Sequence, residues 1–99
     1  MKRREGFERL EREIVKEKAA ALGRAGERLE AALDEVALLS RALDTETDPG
    51  RRAALLRQYE GARGRAALAR TMLLVQREAI GLRHHRVVDQ LFPEPRRRS

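Results

Sequence analysis

The chain has no cysteine and no tryptophan, and its aromatic complement is Phe7, Tyr59 and Phe92. Without cysteine there is no disulfide framework, no thiol nucleophile and no thiolate site for zinc or an iron–sulfur cluster. Three aromatics, two of them placed on expected core positions, leave little for stacking successive bases. Histidine is confined to the adjacent pair His84 and His85, and serine to Ser40 and Ser99. Neighbouring helical residues diverge by about 100°, so the two histidines do not form a paired metal site, and neither serine stands in a nucleophile motif. No apolar run approaches the ~18 residues of a membrane span, and the charged beginning MKRREGFERLERE lacks the apolar stretch of a signal peptide. These absences lead to the expectation of a non-enzymatic, cytoplasmic chain with no cofactor, no metal and no membrane span.

What is abundant is charge, alanine and leucine. Charged residues make up 38% of the chain and apolar ones 41%, the composition of long helices in a single domain. The net charge of +6 is unevenly spread. Residues 1–43 hold ten basic and nine acidic groups, 44–50 three acids, 51–86 nine arginines against two acids, and 87–99 three arginines against two acids. Of the 22 basic residues 19 are arginine, which suits planar contacts to carboxylate or phosphate, although a GC-rich genome produces the same bias.

Counting in sevens along the first half finds Val15, Leu22, Leu29, Val36 and Leu43 on one heptad position, with Ala25, Ala32 and Leu39 completing the seam and Phe7, Ile14 and Ala21 flanking it. This predicts one amphipathic helix over about 3–43, supported on its outer face by Glu5/Arg9 and Glu8/Arg12 pairs. The segment 44–50, Asp-Thr-Glu-Thr-Asp-Pro-Gly, holds no apolar residue and reads as the turn. Asp48 is placed to cap a second helix with Pro49 as its first residue. That helix carries Tyr59, Ala66, Leu73, Ile80 and Val87 at seven-residue intervals, accompanied by Leu55, Ala62 and Ala69. It is expected over about 49–86, with a short continuation to 92 and a Pro/Arg-rich flexible tail over 93–99.

A short connection between two long helices folds them into an antiparallel hairpin. Matching the seams pairs residues whose numbers sum to about 95, such as Val36 with Tyr59, Leu29 with Ala66 and Val15 with Ile80. The same register sets Lys18 near Gln76 and Glu11 near Arg83, polar pairs that can fix alignment at a cost in stability. Gly23, Gly26, Gly61 and Gly64 fall where the backbones could approach closely, or are surface positions that simply tolerate glycine.

The second helix has more apolar surface than one neighbour can cover. Beside its seam lies a row of Leu68, Met72, Val75 and Leu82, expected as the face of a homodimer closing into a four-helix bundle. Arg63, Arg70 and Arg77 recur every seven residues along one edge. With Arg96, Arg97 and Arg98 they are candidates for contact with nucleic acid or another anion, or with an acidic protein partner. The folding back also gathers Lys2, Arg3 and Arg4 near Arg83 to Arg86, making the open end of the hairpin basic.

Three superficial motifs carry less. Asp44-x-Glu46-x-Asp48 resembles the start of a calcium loop, but Pro49 stands where that loop needs glycine and Leu55 where it needs the closing acid. Gly61-Ala-Arg-Gly64-Arg lacks the Lys-Ser/Thr end and the strand context of a phosphate loop. Taken with the lone serines, these residues specify no catalytic chemistry.

Overall fold

The computed structural model describes residues 2–99, with side chains from Arg3 onward. Three helices follow one another: α1 over Lys2–Thr45, α2 over Pro49–Ala79 and a single short α3 over Arg86–Leu91. The two long helices lie antiparallel along each other, an all-α hairpin measuring 72 × 21 × 14 Å.

From Leu22 to Leu43 the heptad seam builds it as the spacing predicts, whereas Val15, expected on the same seam, is 66% exposed because α2 stops at its level. Leu29, Val36 and Leu43 from α1 and Tyr59, Ala62, Ala66 and Leu73 from α2 are all buried, together with Ala25. They form two clusters. One, around Val36, Leu43, Tyr59, Ala62 and Ala66, sits towards the turn, and the other, around Ala25, Leu29 and Leu73, sits halfway along the hairpin. Alanines on α2 pack against larger residues on α1, Ala62 and Ala66 sharing a cluster with Val36 and Leu43. The glycines do not share in this: a Cβ added at Gly23, Gly26 or Gly64 would meet nothing within 4 Å, and at Gly61 only the flexible end of Arg65 at 3.5 Å. They are tolerated surface positions.

The turn is held by its own acids. Asp48 accepts a hydrogen bond from the Arg51 N–H at 2.9 Å and so caps α2, with Pro49 at the first helical position. Glu46 accepts from the Asp48 N–H at 3.2 Å and pairs with the Arg51 guanidinium at 3.1 Å. The acids that mimic a calcium loop are thus engaged otherwise, Asp48 in capping α2, Glu46 with Asp48 and Arg51, and Asp44 with Arg98. Arg52, in the first turn of α2, donates to the Leu43 carbonyl at 2.6 Å, satisfying an acceptor that the end of α1 leaves open.

The expectation of a second helix running to residue 86 is corrected here. α2 stops at Ala79 because the next two residues close a Schellman cap. Gly81 adopts φ +90, its N–H donates to the Glu78 carbonyl at 3.0 Å, and the Leu82 N–H reaches back to the Arg77 carbonyl at 2.9 Å. Chain direction reverses, and Val88 rather than Val87 enters the core, 3% exposed against Ala25, Leu29 and Leu73. Ile80 and Val87, expected in the seam, are 37% and 42% exposed. The Glu11–Arg83 juxtaposition is lost with the helix that was to carry it.

Beyond α3 the chain runs extended, as the two prolines imply, and lies back along the hairpin. The buried Tyr59 hydroxyl donates to the Arg96 carbonyl. Arg98 donates to the Ser40 carbonyl at 2.7 Å and hydroxyl at 2.6 Å and pairs with Asp44 at 2.6 Å, while Arg52 holds the Ser99 main-chain oxygen at 3.0 Å. α3 and residues 92–99 therefore form one continuous strap over one face of the hairpin.

Two sets of substitutions test this account. Gly64→Ala and Gly23→Ala sit in open helical positions and should each raise stability by about 0.5–1 kcal/mol in chemical denaturation. Gly81→Ala should lower it by about 1 kcal/mol or more, because alanine resists the positive φ that the cap requires. Leu29→Ala, at a fully buried position, should cost about 2–5 kcal/mol on the same measurement.

Candidate functional site

Two surfaces were singled out by the sequence, and the structure treats them differently. The arginine edge of α2 turns inward upon the chain itself. Arg70 is 16% exposed at its side chain, donates to the Phe92 carbonyl at 3.0 Å and engages Asp89, with Glu94 at 3.8 Å from its Nε. Arg77 donates through Nη2 to the His84 carbonyl at 2.8 Å and through Nε to His85 Nδ1 at 3.3 Å. Because His85 Nδ1 accepts, its Nε2 carries the proton and donates to Glu78 at 3.0 Å. Arg63 is held by Glu60 at 2.7 Å.

The heptad spacing that puts these three arginines on one edge is therefore what binds the strap. Each guanidinium meets groups that the turn after α2 brings back, or an acid one helical turn away. Arg70 does most, because a planar fork can satisfy a main-chain carbonyl and a carboxylate together. Arg98 of the tail is likewise committed to Ser40 and Asp44, which leaves Arg96 and Arg97 as the exposed members of the set. The acids that meet the edge are Glu60 for Arg63 and, for Arg70, Asp89 and Glu94, none of them from the first helix. Sequence position alone hid Asp89 and Glu94, since their proximity to Arg70 depends on the reversal at Gly81.

The basic open end is less concentrated than the hairpin register implies. Arg83 to Arg86 belong to the turn and the start of α3, and Arg3 and Arg4 lie far out along α1, with Arg4 at 3.9 Å from Glu8. The Lys2 side chain lies outside the described residues.

The apolar row keeps its expected character. Leu68 is 65% exposed, Met72 46% and Val75 51%, on a face of α2 that the strap does not reach. Leu82 is also exposed at 42% but belongs to the reversal, so it stands apart from the helical row. Where this face meets α1, Leu68 and Met72 join Ala25, Ala69, Arg28 and Arg65 around an open hollow of about 220 Å³. Its rim is fixed by the Arg65–Glu35 pair at 2.7 Å, which ties α2 to α1. The two long faces of the hairpin are thus unlike: one carries the strap, the other an uncovered row of leucine, methionine and valine.

One feature was missed by the seam count. α1 is 44 residues long and α2 only 31, so the beginning of α1 has no neighbouring helix among the described residues. Every residue from Arg3 to Ala20 is exposed, including Phe7 at 67%, Leu10 at 51% and Ile14 at 40%. The signal for it was Gly81, which takes the left-handed conformation where α2 ends.

Among the described residues no cluster of histidine and acidic side chains has metal-ligand geometry, and no helix is long and apolar enough to cross a membrane. In comparison with known families, curated proteins and solved structures, the chain matches none.

Removing the Arg70 clamp tests its assignment. Arg70→Ala should free α3 and the tail from the hairpin, raising the rate of limited proteolysis within residues 86–99 several-fold while most of the helical circular dichroism persists. An unchanged digestion pattern would show that the clamp does not hold the strap.

Proposed function

We propose that this protein is a non-enzymatic interaction module that associates with a second copy of itself through the outer face of α2. The observation that carries the reading is the row of Leu68, Met72 and Val75, 46–65% exposed on the face that the chain's own strap leaves bare. Large apolar side chains in register at i, i+4 and i+7 on an otherwise charged helix mark a helix-packing surface. A two-fold pairing covers such a surface on both copies at once and closes the assembly.

The competing reading, an arginine track for nucleic acid or an acidic protein, has less to support it. Arg63, Arg70 and Arg77 are occupied by Glu60, the strap and His84–His85, and exchanging those contacts for phosphates would require the strap to leave. Arg96 and Arg97 are exposed but are two charges at one place rather than a track.

Light scattering on a sizing column decides between them. The unaltered chain should elute at about twice 11.3 kDa, with no co-eluting absorbance at 260 nm. Met72→Glu combined with Val75→Glu should give a monomer of unchanged helicity, because neither side chain is buried within one chain. A monomeric parent, or a double variant that stays dimeric, would sink the α2 interface. Absorbance at 260 nm that falls away as salt rises would move the function to the basic surface.

A further inference from the structure

The free beginning of α1 and the bare face of α2 match in length and spacing. α2 ends beside Val15, Lys18 and Ala19, which share a hollow with Ala79 and Ile80. From there to Arg3 the lane next to α1 is empty over about 12 residues, or roughly 18 Å at 1.5 Å per residue. The apolar side chains fronting this stretch are Phe7, Leu10 and Ile14, separated by three and four residues. On α2 the positions 72, 75 and 79 repeat that interval with Met, Val and Ala. A constant offset of 65 therefore sets Phe7 against Met72, Leu10 against Val75 and Ile14 against Ala79 in parallel alignment, large residues opposite smaller ones at the end where the helices must approach.

We infer that in the dimer the arm formed by residues 3–14 of each copy lies along the Met72–Val75–Ala79 face of the other, a reciprocal clasp between two copies of this chain. The inference rests on the self-association proposed above and names what meets the α2 face. A rigid α1 cannot bend its arm back onto its own α2, so the contact is between copies. The two-fold that seats one arm seats the other, and it brings each α2 into the lane left empty beside the opposite arm, the two α2 ends meeting near Val15.

Charge favours this arrangement over the stacking of α2 on α2. α2 holds seven arginines against two glutamates, so apposing two of these helices gathers like charge along the whole contact. Residues 3–14 hold four arginines and four glutamates and carry no such penalty. Area agrees: one contact of three helical turns hides too little for a specific complex, whereas the two together approach the ~1,200 Å² at which stable interfaces begin.

The absence of cysteine in the chain permits a direct test. Leu10→Cys and Val75→Cys chains, each position about half exposed and so replaceable without unfolding, are mixed, refolded together and oxidised. Clasped dimers bring positions 10 and 75 within disulfide reach. The mixture should then give a cross-linked dimer in at least fivefold higher yield than either variant alone. Efficient cross-linking of Val75→Cys with itself would leave the α2 dimer standing and overturn the clasp in favour of α2 stacking. Efficient cross-linking of Leu10→Cys with itself would overturn it in favour of paired arms, as would a dimer by light scattering with no cross-link in any combination. If the unaltered chain is a monomer by light scattering, the self-association reading fails first and the clasp with it.

Discussion

The reversal after Ala79 governs the rest of this molecule. Had α2 continued through residues 80–86, it would have covered the beginning of α1 and carried Val87 along the seam. Instead a glycine in a left-handed conformation spends two hydrogen bonds on closing the helix and turns the chain back. Three consequences descend from that one cap. Val88 and Phe92 reach the seam from the side, the last residues are laid over one face, and the beginning of α1 is left, among the described residues, without a neighbouring helix. The asymmetry of the hairpin is therefore decided at a single backbone position.

Arginine in this chain serves as a fastener. A hairpin of two helices buries a narrow strip, and the strap adds little apolar area beyond Val88 and Phe92. Its attachment depends on guanidinium groups that satisfy main-chain oxygens as well as carboxylates: Arg70 with Phe92, Arg77 with His84, Arg98 with Ser40 and Arg52 with Ser99. A carbonyl is a neutral acceptor whose demand does not vanish with salt, so such contacts outlast simple surface ion pairs. Lysine, with a point charge and no fork, would not reproduce them. The bias towards arginine thus has a structural use in this fold, whatever its genomic origin.

The seam was legible in the sequence because heptad spacing is a long-range regularity written in many residues. Leu29, Val36, Leu43, Tyr59, Ala66 and Leu73 each support the same register, and one exception would not have erased it. The capping of α2 by Asp48 was legible for a different reason, since the acid–proline pair has few other uses. The end of α2 rested on Gly81 alone, set between residues that continue the helical pattern, so periodicity outweighed it. The contacts of the arginine edge could not be read at all by counting along a helix. They join residues 70 and 89, or 98 and 40, whose nearness follows from the reversal and not from any repeat. The apolar row on α2 was found by the same periodicity as the seam, except for Leu82, which the cap removes from the helix.

Tyr59 gives the strap a property that its chemistry does not advertise. It is the single tyrosine, the chain has no tryptophan, and its hydroxyl is held by a carbonyl of the tail while its ring is enclosed by the hairpin. Near-ultraviolet dichroism and intrinsic fluorescence of this protein therefore come almost wholly from one ring at the joint between strap and hairpin. The molecule carries its own optical label at the place where its two parts meet.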